Sequence, residues 1–147
     1  MSDDFYVRKG NPWRYQGEYT LKDKRIGVIS GYGYGKAVTD FLAGNSSQGL
    51  IVAAGGAHAL EENIAKLREG KIDIVIEGKP VMDYMLSRLQ LGDEIVWAGG
   101  IQEMPVYLAF APSPRGAELR VLYNVGLKRL KAGGELDSLY AAYGLQR

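Results

Sequence analysis

Lys24-Arg25-Ile26-Gly27-Val28-Ile29-Ser30-Gly31-Tyr32-Gly33-Tyr34-Gly35-Lys36 is the stretch whose reading decides the fold. Arg25 to Ile29 reads as a buried strand, and a helical pattern starts at Lys36, with Val38, Phe41 and Leu42 on one face. Between them, glycine alternates with tyrosine. Glycines let the backbone turn sharply and bring N–H groups close to a guest. A helix that starts just beyond offers unpaired N–H donors and a positive dipole end, which together suit an anionic group. Tyr32 and Tyr34 add flat surface with a polar tip. This strand–turn–helix therefore carries half of a small-molecule site.

On the N-terminal side, Phe5-Tyr6-Val7 is a short strand closed by the turn signal Lys9-Gly10-Asn11-Pro12. Trp13, Tyr15 and Tyr19 follow among polar residues, to be read first as aromatic cover for a loop and second as packing over a hinge or a hold on a ligand. On the C-terminal side, Leu50 to Ala54 is a second buried strand, stopped by Gly55-Gly56. Leu60, Ile64 and Leu67 then line a helix with Glu61 and Glu62 in its first turn and Lys66 and Arg68 in its last, as the macrodipole prefers. Adjacent helical residues do not face each other, so Glu61 and Glu62 are no acid/base pair. Ile72 to Glu77 is nearly all apolar, as befits a central strand covered on both faces.

Gly78-Lys79-Pro80 turns the chain, and Pro80 is expected as the first residue of a helix through Val81, Tyr84, Met85, Leu86 and Leu89. Glu94 to Ala98 is a fourth strand of the alternating region. Val106 to Ala111 is expected to be a further strand. Ser113 caps a long helix with Leu119, Leu122, Tyr123, Leu127 and Leu130 on its apolar face, ended by Gly133-Gly134. Leu136, Leu139, Tyr140 and Tyr143 mark a last short helix. Alternating strands and helices predict an α/β fold: a mostly parallel sheet flanked by helices, with extra helices at the C-terminus.

The chain has 147 residues, 46% of them apolar and 24% charged, which suits a globular domain with a real core. A formal net charge of +1 with no Lys/Arg run argues against nucleic acid as a partner. No cysteine is present, which excludes disulfides, thiolate metal sites and thiol nucleophiles. The opening Met1-Ser2-Asp3-Asp4 lacks the basic-then-apolar pattern of a secretory signal.

Several chemistries fail on spacing. Gly31 to Lys36 is one residue short of a phosphate loop, and Ala37 stands where Ser or Thr would hold magnesium. A dinucleotide fingerprint matches at Gly31 and Gly33 but meets Lys36 at its third glycine, and no acidic residue ends the strand at Ala54. Ser30-Gly31 lacks a nucleophile-elbow frame. His58, the only histidine, would leave a metal cage short of ligands even with Glu77. No metal and no cofactor is expected. Ligands of α/β sheets sit beyond the carboxyl ends of strands, beside helix N-termini. The candidate ligand-binding residues there are Ser30, Tyr32, Gly33 and Tyr34 for an anionic end, Glu77 for a cationic end, Gly31 and Gly78 beside them, and His58 as a lesser candidate.

Leu21 to Gly35 resembles the start of the second lobe of family 3 extracellular solute-binding proteins, the amino-acid-type substrate-binding components of ABC transporters. Glu61 to Asp73, with Leu67, Gly70 and Asp73, is similar to that family's helix, glycine, then strand opening with aspartate. Val106 to Phe110 resembles the strand that crosses back through the hinge. Gly133-Gly134-Glu135-Leu136 and Tyr143-Gly144-Leu145 look like the family's ending. The resemblance covers nearly the whole chain from about residue 5.

The resemblance implies one lobe of a periplasmic binding protein type II fold, periplasmic or extracellular, with a small polar solute as ligand and a membrane permease as partner. It implies a ligand-binding lobe with the first hinge crossing over residues 1–103, and a return hinge strand with C-terminal helices over 104–147. A first lobe is not represented, so a shortened relative or a fragment is expected, with a homo-oligomer covering the apolar face of Leu119, Leu122 and Leu127. Amino-acid binders often place an aspartate after the third strand; here Gly78 stands there, with Glu77 just before it. The alternatives are an enzyme of related fold acting on a small acid and a stand-alone sensory or interaction domain.

Overall fold

The computed structural model describes residues 2–101 and 107–145. They fall into two compact units, Met1–Met104 and Pro105–Arg147.

The first unit is a five-stranded mixed sheet with helices. Its strands are β1 (Asp4–Arg8), β2 (Ile26–Ile29), β3 (Ile51–Ala54), β4 (Ile74–Glu77) and β5 (Ile95–Gly100). Its helices are α1 (Lys36–Asn45), α2 (Ala59–Arg68) and α3 (Lys79–Leu89). The strand order is β3-β2-β4-β1-β5, with β2 parallel to β3 and β4, and β1 antiparallel to β4 and β5. The α/β alternation read from the sequence supplies the parallel part. The first strand in the chain is inserted, reversed, between the last two.

β4 lies at the centre of the sheet and all four of its residues are buried. Alternate residues of β1 divide between two cores: Tyr6 joins Ile64, Leu67, Val75 and Met82, while Phe5 and Val7 join Leu21, Ile26, Val38 and Ile76. That division follows from the two-residue period of a strand. Tyr15 stacks on Phe5 with ring centroids 4.1 Å apart, and Trp13 meets the same ring edge-on at 6.1 Å. The aromatic loop thus covers the second core, whereas Tyr19 is exposed. Gly27 lets α2 approach closely, since a Cβ there would lie 2.5 Å from Ile72 Cδ1 and 3.2 Å from Asn63.

Pro80 occupies the second helical position of α3 rather than the first, because Gly78 is the cap residue. Its missing N–H is equally harmless there, as no carbonyl of the helix needs it.

The second unit holds α4 (Pro114–Gly133) and α5 (Glu135–Ala142). Ser113 caps α4 as its sequence position suggests: its side-chain oxygen accepts the Gly116 N–H at 3.1 Å. Gly134 ends that helix with φ 76°, a conformation glycine adopts without strain. The expected strand Val106 to Ala111 is not observed. Val106 lies outside the described residues, and 107–111 form no strand. A strand needs a ladder partner, and among its described residues this unit contains only helices. Leu119, Leu122 and Tyr123 of the anticipated apolar face are exposed, and Leu127 is half-buried.

Candidate functional site

The chain leaves β2 for β3 on one side and returns through β4 on the other, so β2 and β4 flank a switch point of the sheet. Their carboxyl ends are the expected position of a ligand crevice. The β2–β3 ladder continues to Ile29↔Ala54, whereas β2–β4 pairing is confined to Ile26↔Ile74 and Gly27↔Val75. Beyond that point the Ile29 N–H is taken by the Tyr34 hydroxyl at 2.9 Å. Tyr34 therefore folds back and plugs the seam. Burial pushes its hydroxyl up to about 12, helped by the nearby Glu77 and Asp3 and opposed by the Ile29 N–H.

The rest of the glycine–tyrosine turn faces outward. Gly31 has φ 82°, and the Tyr32 N–H donates to the Ile29 carbonyl at 3.2 Å to close the turn. Tyr32 is 52% exposed and tilts against Tyr34 at 6.4 Å. The Ser30 N–H extends the β2–β3 ladder to Ala54 at 2.8 Å, and its exposed side chain lies beside Gly55. Gly31 and Gly33 are exposed with open space around them. The helix start at Gly35 carries no side-chain cap of its own.

His58 precedes α2 on the surface, where its Nδ1 lies 3.6 Å from Glu61 Oε1. Arg88 of α3 reaches the same Glu61 oxygen at 3.6 Å.

Glu77 is the buried member of the expected set, 5% exposed. Its Oε1 accepts the Gly78 N–H at 2.8 Å, and its Oε2 has no partner among the described groups. Burial pushes this carboxyl above the usual range, and the Gly78 N–H only partly offsets it. Gly78 is half-buried and opens α3.

Two residues absent from the sequence-based set lie at the same strand ends. Asp3 Oδ2 accepts the Gly35 N–H at 2.7 Å, placing a carboxylate at the start of α1. Asp4 Oδ2 accepts the Lys79 N–H at 3.2 Å at the start of α3 and a bond from the Ser2 hydroxyl, while Asp4 Oδ1 accepts the Trp97 indole N–H at 2.7 Å. The chain thus supplies its own anions to two helix N-termini. Asp4 and Glu77 are also direct partners across the antiparallel β1–β4 pair, an arrangement that is unfavourable when both are charged. Burial raises Asp3 as well, with the Gly35 N–H opposing and Asp4 adding to the shift. The available signal was the pair Asp3-Asp4 at the head of a strand. Its use depended on knowing that β1 runs antiparallel, which brings its first residues to the carboxyl ends of β2 and β4.

At the opposite end of the seam, Arg25 Nε and Nη2 donate to Asp73 Oδ2 and Oδ1 at 3.0 and 2.6 Å, and the Arg25 N–H adds a bond to Oδ2 at 2.9 Å. The Arg25 side chain beside Asp73 holds its carboxyl below the usual range. Between the two ends Asn63, fully buried, donates from Nδ2 to the Val28 carbonyl at 3.0 Å.

No family model matches the sequence, and no curated protein matches it. Solved structures do match by shape. A structure described for glutathione import through GshT and the cystine ABC importer of Streptococcus mutans aligns over 99% of this chain and 60% of its own, with TM-score 0.67 and 20% identity. An arginine-bound amino-acid ABC transporter substrate-binding protein, AbpA of Streptococcus pneumoniae, aligns over 97% and 57%, with TM-score 0.64 and 21% identity. The second substrate-binding domain of a putative amino-acid ABC transporter of Streptococcus pneumoniae aligns over 97% and 60%, with TM-score 0.58 and 25% identity. The chain spans about three-fifths of the length of these proteins. It has the mixed-sheet lobe fold found in substrate-binding proteins of amino-acid ABC transporters, the proteins that its sequence resembles.

Proposed function

We propose that this chain supplies the ligand crevice of an ABC importer's substrate-binding component, holding a small polar solute outside the cytoplasmic membrane for delivery to a permease. The observation that carries the reading is the switch point itself. There, an open glycine–tyrosine turn stands beside a cluster of carboxyl groups, Asp3, Asp4 and Glu77. In this reading Ser30, Gly31, Tyr32 and Gly33 meet the anionic end of the solute, Tyr34 braces the wall behind them, and His58 lies at the margin. Glu77 and Gly78 serve the cationic end, supported by Asp3 and Asp4. The role is binding without catalysis, because these groups offer donors, acceptors and aromatic surface rather than a nucleophile with its base.

A thermal-shift panel of amino acids, small organic acids and amines tests this on the chain itself. A solute at a hundred times its Kd stabilises by about 2.7 kcal/mol, which a melt detects readily. Zwitterions and amines are expected to outrank simple organic acids. A panel in which nothing polar and small binds would sink the reading.

We also propose self-association through the helical second unit, supported by the exposure of Leu119, Leu122, Tyr123 and Leu139. A compact monomer at high concentration in sedimentation would overturn that part alone.

A further inference from the structure

A separate cleft of about 390 Å³ lies between α3 and β5, one of the two edge strands of the sheet, away from the turn at Ser30 to Gly35 in sequence and in its lining. Tyr6, Asp83, Leu86, Ser87, Ile95 and Trp97 form its walls. The volume lies in the range that holds a small organic molecule.

Three features constrain what fits. Tyr6 is only 2% exposed, and its hydroxyl has no hydrogen-bond partner among the described groups. Buried tyrosine hydroxyls ordinarily find one. Asp83 brings a carboxylate to the wall, engaged on α3 only by the exposed Lys79 side chain one turn earlier. Trp97 is 54% exposed, and its indole N–H is held by Asp4, which fixes the ring at the cleft.

Burial, and after it the carboxylates of Asp4, Asp83 and Glu77, raise the Tyr6 hydroxyl, while the Lys79 ammonium sits on Asp83 at the exposed margin. An anion would be repelled there, and a purely apolar guest would leave the hydroxyl oxygen unpaired. A cationic N–H donor answers the hydroxyl oxygen and the carboxylate together, and its carbon body packs on Leu86, Ile95 and the Trp97 ring. We infer that the cleft between α3 and β5 is a second binding site, for a small organic ammonium ion with an apolar or aromatic body.

The test is a titration of the full chain with phenethylammonium chloride, followed by amide and indole NMR and by calorimetry. Saturable shifts are expected at the Trp97 indole and the Ser87 and Gly92 amides. Asp83→Asn is expected to weaken binding about tenfold, the scale of one hydrogen bond to a charged group. Lys79→Gln is expected to strengthen it about two- to threefold by freeing Asp83 from an exposed pair. The neutral analogue 2-phenylethanol is expected to bind about tenfold more weakly than the ammonium. Tyr6→Phe separates a ligand role from a structural one: affinity falls about threefold or more while the unliganded fold keeps or gains stability, since an unpaired buried oxygen is removed. Equal binding of 2-phenylethanol, unchanged affinity in Asp83→Asn, shifts confined to Ser30 to Tyr34, or no saturation by about 10 mM would each overturn the inference. Shifts confined to Ser30 to Tyr34 would do so while supporting the switch-point crevice, so the two sites stand or fall separately.

Discussion

The two ends of the β2–β4 seam use carboxyl groups in opposite ways. At the amino end, Asp73 is fully answered by the Arg25 side chain and backbone, and its carboxyl is held below the usual range. At the carboxyl end, Glu77 faces Asp4 across the strand pair, keeps one oxygen without a partner among the described groups, and is raised by burial. One end is built to stay shut. The other stores unsatisfied polarity where the strands part, as ligand sites often do.

The contrast has a definite pH signature. Asp73 contributes stability that is present above the ordinary aspartate value of 3.8 and is lost as pH falls through its depressed value. Glu77 behaves the other way. Its contribution is full below the ordinary glutamate value of 4.5 and is lost as pH rises through its raised value. Acid loosens the clamp, and rising pH loads charge onto Glu77 where the strands part.

The strongest way to break the comparison is Tyr34→Phe. It strips the Ile29 N–H of its partner at the parted end, and is expected to cost about 1–3 kcal/mol, the penalty for an unsatisfied buried group. Urea denaturation reads the loss, and faster hydrogen exchange at the Ile29 amide localises it. Unchanged exchange there would mean that Tyr34 does not hold the seam.

Asp73→Asn attacks the closed end. A smaller loss is expected because the pair is partly exposed and screened. The acid limb of a stability–pH curve should flatten in this variant while the limb above pH 4.5 persists. Loss of both limbs together would show that the ends are not separable.

Glu77→Gln tests the parted end with the opposite sign. It should raise stability at neutral pH by about 1 kcal/mol, within the ordinary range of single substitutions. Its amide can donate toward Asp4, and no charge is left to bury. A destabilised Glu77→Gln protein would mean that the carboxylate has a cationic partner in the fold itself.

Ser30→Ala and Tyr32→Ala are expected to have the smallest effect on folding, within about 0.5 kcal/mol, because both side chains are exposed. Any solute found in the thermal-shift panel should nevertheless lose affinity. A large stability loss with unchanged affinity would move these residues from the site to the scaffold.

Much of the lobe could be read locally. The apolar run Ile26 to Ile29, the helical stripe Leu60, Ile64 and Leu67, and the buried strand Ile74 to Glu77 are patterns of period and turn chemistry, carried by neighbouring residues. The Ser113 cap was equally legible, because a cap acts within one turn. The same local reading misjudged the Tyr107 to Ala111 part of its expected strand, whose apolar content suits a strand without naming a partner to pair with. It also gave Tyr34 a polar tip for a ligand without foreseeing that the hydroxyl accepts the Ile29 N–H.

The sequence by itself determined the alternation of strand and helix and the sharp turn after Ile29. Each depends on residues close together in the chain. The tertiary structure decided that β1 runs antiparallel between β4 and β5. That placement brings Asp3 and Asp4 to the starts of α1 and α3 and sets Asp4 against Glu77. Strand pairing at long sequence separation is settled by which edges bury the most apolar surface and satisfy the most backbone groups together, a property of the folded whole that no local window contains.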